Sequence, residues 1–173
     1  MGVTLDTKVD LSKMQALRDR IKEIQARDAK VRVGVFSSAG VHPGTEISMA
    51  SLAAAHEFGS EKAHLPERSF LRATFRAKKA EGIALCGKLC KAFIEDRITL
   101  QQALGLLGEW GVSRVRDFIR TNQVRPPDTQ ATMDRKGSTV TLVDTGQLVN
   151  AISYVTPFGD GGSAAPVDPE GGE

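Results

Sequence analysis

Cys86 and Cys90 stand four residues apart, a spacing that sets two thiols on one face of a helix, where a soft metal ion could take both. Zinc asks for about four ligands. The three histidines, His42, His56 and His64, all lie upstream with no paired spacing. Free cysteine is among the most buried residue types, and these two continue an apolar stripe with Ile83 and Phe93, so the pattern predicts core packing. A serine nucleophile lacks its setting: no G-x-S-x-G elbow occurs, and Ser51 and Ser69 fall in helical contexts. His56-Glu57 begins an H-E-x-x-H pattern, but the second imidazole is replaced by Ser60. Gly105, Gly108 and Gly111 imitate a phosphate loop, yet phosphate-cradling glycines follow a strand. These lie inside a helical pattern, where they predict close approach of another helix or a looser helix near Trp110. The chain therefore reads as non-enzymatic, with no catalytic residue, cofactor or metal ligand assigned.

Charge supplies the remaining chemistry. Arg68, Arg72, Arg76 and Lys79 recur at steps of four, four and three, which predicts one basic face on a helix, with Lys78 beside it. Such a stripe faces DNA in a channel, faces an acidic neighbouring subunit, or is a solvated face with internal pairs such as Lys78 or Lys79 with Glu81. Arginines at a helix start oppose the macrodipole, a local cost that points to contacts elsewhere. Glu57 is expected to pair with a nearby arginine such as Arg68, and Gly59 to end its helix in the left-handed conformation. Asp144 lies three residues before Gln147 and is placed to cap a turn containing Gly146.

Periodicity supplies the elements that carry these groups. Leu11, Met14, Leu17, Ile21 and Ile24 mark an amphipathic helix over about residues 10–28, with Asp10 as its N-cap. Val31, Val33 and Val35 alternate as a strand at 30–36. A short helix over Met49, Leu52, Ala53 and His56 precedes a long helix running from Ser69, a good N-cap, into the nineties. Thr99 and Gln102 form a capping-box signature for a further helix to about residue 121, giving a long helical hairpin. Residues 123–137 read as a polar loop, and 138–143 and 152–158 as strands. The fold class is α+β: one domain over residues 1–158, with a small, mainly antiparallel sheet packed by several helices. Residues 159–173 (GDGGSAAPVDPEGGE) are too poor in apolar side chains to pack and are expected to form a flexible Gly/Pro-rich tail.

The 173 residues suit one domain, and 40% hydrophobic with 25% charged content is ordinary for a globular protein. A net charge of +2 gives no general attraction to nucleic acid, and nine aromatics (7 Phe, 1 Tyr, 1 Trp) disfavour a base-stacking platform. The N-terminal segment lacks the basic and apolar regions of a signal peptide, and no apolar run is long enough to span a bilayer. Two cysteines imply no disulfide scaffold and suit a reducing cytoplasm.

Two segments, residues 49–76 (MASLAAAHEFGSEKAHLPERSFLRATFR) and 141–155 (TLVDTGQLVNAISYV), carry a family resemblance. Through Ala50, His56-Glu57-Phe58-Gly59, Pro66, Arg68, Phe70-Leu71-Arg72, Asp144-Thr145-Gly146-Gln147-Leu148 and Ile152, the chain resembles the tail-completion (neck) proteins of long-tailed bacteriophages. That family includes the minor tail protein Z of lambda-like phages. Members often have proline where this chain has Ser69, and serine where it has Ala151. The resemblance implies a structural virion protein: a ring subunit, a hexamer, at the head–tail joint. It would connect head-closure (adaptor) proteins to the tail terminator, with non-specific DNA contact in the channel and no membrane. Its location would be the virion neck, after assembly in the host cytoplasm. The alternatives are a tail terminator, a head-closure protein, or a prophage-borne non-catalytic binding module.

Overall fold

The capping box expected at Thr99 forms in full. Thr99 Oγ1 accepts the Gln102 N–H at 3.1 Å while Gln102 Oε1 accepts the Thr99 N–H at 2.9 Å. It opens the 21-residue helix on which the rest of the chain is built. The structure, a computed structural model, describes residues 11–129, 134, 140–142 and 146–161. In chain order these form α1 (Leu11–Ala26), β1 (Arg32–Val35), a 3-10 turn (Ser37–Ala39), α2 (Met49–Phe58), α3 (Leu71–Ala77), α4 (Lys79–Ile94), α5 (Leu100–Arg120), α6 (Gln147–Asn150), β2 (Ile152–Thr156) and β3 (Gly159–Gly161). The three strands make one antiparallel sheet in the order β1-β2-β3, with Val33 opposite Tyr154 and Val35 opposite Ile152. The fold is α+β, with helices packed on this small sheet and α4 packed against α5.

The main core gathers Met49, Phe70, Val112, Val115, Ile119 and Ile152, from α2, the start of α3, α5 and β2. A second cluster, Phe93, Leu100 and Leu104, is covered by Ile24, Val31 and Phe158. Burial of this apolar area, at about 25 cal/mol per Å², is the main favourable term in folding.

Three differences from the sequence expectation have physical causes. The long helix bends at Lys78, where the N–H of Lys78 still reaches Thr74 O and that of Gly82 reaches Lys78 O. Buried Thr74 donates its hydroxyl to Phe70 O at 2.6 Å, a back-bond that bends helices. The described part of the strand expected at 138–143 is a bend and turn, because Leu142 takes a φ of 64°. Fully buried Thr141 there gives its N–H to Asn122 Oδ1. The third strand comes instead from the start of the expected tail, where Tyr154 pairs with Gly161 and Thr156 with Gly159. A Gly-Asp-Gly strand has no apolar alternation to announce it. Residues 162–173 lie outside the described residues, as do Asp10, Asp144 and Thr145.

Two of the three α5 glycines, Gly108 and Gly111, allow close approach of the sheet rather than of another helix. A Cβ on Gly105 would make only an ordinary contact with Tyr154, at 3.7 Å. A Cβ on Gly108 would lie 2.3 Å from the Tyr154 ring, and one on Gly111 would lie 2.8 Å from Val33 Cγ2. The clash at Gly108 involves the base of the ring, which cannot swing aside. Gly108→Ala should therefore lower stability by about 1–3 kcal/mol by overpacking, although alanine is the better helix former by about 1 kcal/mol. Urea unfolding checks this; a rise in stability would show that the sheet can retreat from α5.

Candidate functional site

Glu57, on the last turn of α2, is buried at 3% exposure and ends in a carboxylate that receives five hydrogen bonds. Oε2 accepts the backbone N–H groups of Phe70 and Leu71 at 2.8 and 2.9 Å. Oε1 accepts the Arg72 N–H at 3.0 Å, Arg72 Nε at 2.9 Å and the Ser69 hydroxyl at 2.8 Å. One side chain thus caps the N-terminus of α3 across the loop, meeting donors that a helix start leaves unpaired. The N-cap position is Phe70, with no cap from its own side chain, so the expected cap at Ser69 is replaced by Glu57. Burial pushes the Glu57 carboxyl up, but the Leu71 and Arg72 N–H groups, the Arg72 side chain and the Ser69 hydroxyl together outweigh it and hold it below its ordinary value.

Gly59 makes the reversal possible. Its φ of 77° and ψ of 169° lie in the region essentially reserved for glycine, rather than in the left-handed helical well expected. A Cβ there would also meet the Glu67 N at 3.0 Å. The loop closes with a bridge between Ser60 and Leu65, and the Arg68 N–H returns to His56 O at 2.7 Å. Gly146, at φ 78° and ψ −3°, does take the left-handed conformation before α6.

The basic stripe does not form as one face. Arg68 precedes α3 and turns inward, pairing with Asp128 at 2.9 Å and donating to Pro126 O at 3.2 Å. It does not pair with Glu57; Arg72 does, and Arg72 also reaches Glu67 at 3.0 Å and lies over the Phe58 ring at 4.8 Å. The expected dipole cost of these arginines is met by the Glu57 carboxylate within the chain. Arg68 pins the start of the loop expected over 123–137, where Val124 and Asp128 are buried. Arg76 and Lys79 remain exposed on either side of the bend at Lys78, without ion pairs among the described residues.

Beside them runs an apolar groove of ≈ 430 Å³ between β1, the α3–α4 bend and α5, lined by Val33, Phe75, Lys79, Ile83, Trp110 and Cys86 among others. Trp110 donates its indole N–H to Glu81 at 2.9 Å, and Glu81 also pairs with Arg114 at 2.9 Å and Lys78 at 3.5 Å. Cys86 and Cys90 are exposed, which overturns their expected place in the core: of their stripe only Phe93 reaches a core cluster, and Ile83 is exposed as they are. Burial and the neighbouring Cys86 push the Cys90 thiol up, so it stays protonated near neutral pH. Among the described residues no group of three or more His, Cys, Asp or Glu is placed to hold a metal ion.

Two residues in these networks carried no sequence signal. Asp128 sits in a loop with no periodicity, and Arg116, on α5, donates to the Val149, Asn150 and Ile152 carbonyls at 2.8–3.2 Å, holding α6 and the start of β2. Comparison with family models, with curated proteins and with solved structures finds no match to this chain.

Two predictions follow from the joint. Because the Glu57 carboxyl binds its proton more weakly folded than unfolded, its contribution is fully present above the ordinary carboxylate range and is lost as pH falls through the folded-state value. Glu57→Gln should cost about 2–4 kcal/mol at neutral pH and flatten the acid limb of a stability–pH profile; an unchanged acid limb would remove Glu57 from the cap. Arg68→Ala should cost about 1–3 kcal/mol by removing the ion pair to buried Asp128 and the bond to Pro126 O, whereas exposed Arg76→Ala should stay within about 0.5 kcal/mol. Equal melting temperatures for the two variants would contradict the inward role of Arg68.

Proposed function

We propose that the chain is a structural subunit of the head–tail joint of a long-tailed phage, a tail-completion ring subunit, hexameric, connecting head-closure proteins to the tail terminator around the DNA channel. The observation that carries this reading is the use made of the motif residues. Of the residues through which the chain resembles that family, Glu57 takes the Phe70, Leu71 and Arg72 N–H groups and the Arg72 side chain in one internal joint, the Arg68 N–H returns to His56 O, and Gly59 makes the reversal between them. Such use favours a role in shape over one in chemistry. Support also comes from α1, whose Met14, Leu17 and Ile21 are 53%, 40% and 46% exposed. An uncovered apolar stripe suits a surface buried against another subunit. Arg76 is the arginine of the former stripe left free to face DNA or an acidic neighbour.

The test is complementation of a phage deleted for this gene. Leu17→Glu with Ile21→Glu should leave the isolated chain folded by circular dichroism, since both sites are partly exposed. The same variant should yield unjoined heads and tails. Wild-type numbers of infectious particles would remove α1 as an interface. Absence of the wild-type chain from purified particles would remove the reading altogether.

A further inference from the structure

Cys86 and Cys90 are two exposed thiols four positions apart within α4, a 16-residue helix that holds their spacing. On a helix the Cβ atoms of residues four apart lie about 5–6 Å from each other. A disulfide needs them closer, at about 3.8 Å. A metal ion between two thiolates asks for more room. Metal–sulfur bonds of about 2.3 Å set the sulfurs of a linear S–metal–S unit about 4.6 Å apart, a span that side-chain rotation covers at this spacing. The surroundings are apolar: exposed Ile83 lies one turn before Cys86, and Cys86 lines the groove together with Phe75 and Trp110. Among the described residues no third His, Cys, Asp or Glu joins the pair, so the four-ligand set that zinc takes is not assembled.

We propose that Cys86 and Cys90 form a two-thiolate site for copper(I), a soft cation that accepts linear coordination by two ligands. Thiolate ligands select soft ions of this kind, and the exposure of both residues gives the ion its way in. On binding, the two S–H bonds break, two S–Cu bonds form and two protons pass to solvent. No electron changes hands. The ion displaces protons, and burial together with the neighbouring Cys86 thiol holds the proton of Cys90, so affinity rises with pH. Two thiolates and one copper(I) leave a single negative charge. Lys79, two turns before Cys86 on the same helix and without an ion pair among the described residues, is placed to favour it.

The experiment uses the full chain, reduced and free of oxygen, with copper(I) supplied as its bicinchoninate complex. The chain should withdraw one copper(I) per molecule from the coloured chelate and gain a near-ultraviolet sulfur-to-copper absorption band. Trp110, the only tryptophan, lines the groove with Cys86, and its emission should change with the same stoichiometry. Cys86→Ser and Cys90→Ser should each weaken binding about 100-fold or more, because a chelate loses its second arm. Both variants should keep the wild-type circular dichroism, since both sites are exposed. Affinity should fall as the pH is lowered below neutrality. Failure to withdraw copper(I) from the chelate would overturn the proposal. Single variants that each keep wild-type affinity would also overturn it, by making the thiols independent. Copper uptake that appears only with dimers in sedimentation would overturn it by sharing the ion between two chains. Zinc that displaces copper(I) at equal concentration would overturn the choice of a two-coordinate ion. None of these measurements involves phage particles, so this proposal and the head–tail reading fail separately.

Discussion

A single buried carboxylate sets the geometry on which the rest of this chain depends. Glu57 lies at the end of α2, yet its hydrogen bonds go to the start of α3, so it fixes the angle between two helices rather than the end of its own. Burying an anion costs several kcal/mol unless it is paired and hydrogen-bonded. Here three backbone N–H groups, one hydroxyl and the Arg72 guanidinium meet it at once. A half-satisfied version would be worse than an apolar one, because each unpaired buried group costs more than a formed bond returns. The joint is therefore all or none.

The consequences spread from that joint through rigid contacts. With α3 aimed by Glu57, Phe70 and Thr74 enter the core beside Val112 and Val115 of α5. Arg68, held just before α3, is directed at Asp128 and pins the connection that leaves α5. Beyond the break at Lys78, α4 borders the groove beside Trp110 and leaves Cys86 and Cys90 exposed. On the other side of α5 the sheet sits close because Gly108 and Gly111 remove the side chains that would hold it off. Arg116 reaches from the same helix to the carbonyls around α6 and β2, tying that segment to α5.

The surface that results is divided in kind. The loop side of the joint is occupied by internal ion pairs and a cation–π contact between Arg72 and Phe58. The α1 and α4 side carries exposed apolar residues, Met14, Leu17 and Ile21 of α1 and Ile83 and Ile94 of α4. In α1, Arg20 lies over the Phe93 ring and pairs with Asp96, and Ile24 packs on the second cluster. A helix held through Arg20 and Ile24 while Met14, Leu17 and Ile21 stay exposed is suited to a partner.

The sequence by itself determined the local elements. Apolar spacing placed α1, α2 and α5, alternation placed β1 and β2, and the Thr99–Gln102 pair placed a helix start to the residue, because each depends on neighbours within a few positions. Only tertiary structure decided where the charges went. Spacing put Arg68, Arg72, Arg76 and Lys79 on one face, but a helix that starts at Leu71 and bends at Lys78 has no such face. Glu57 lies 12 to 15 positions from its partners and Arg68 lies 58 from Pro126, separations that periodicity does not register. The cysteines followed the same rule: an apolar stripe predicts burial only where something packs on it, and of that stripe Phe93 is covered while Ile83, Cys86 and Cys90 are exposed. The third strand, Gly159–Gly161, exists because Tyr154 offers its backbone edge, a contact that no pattern in a Gly-Asp-Gly segment could announce.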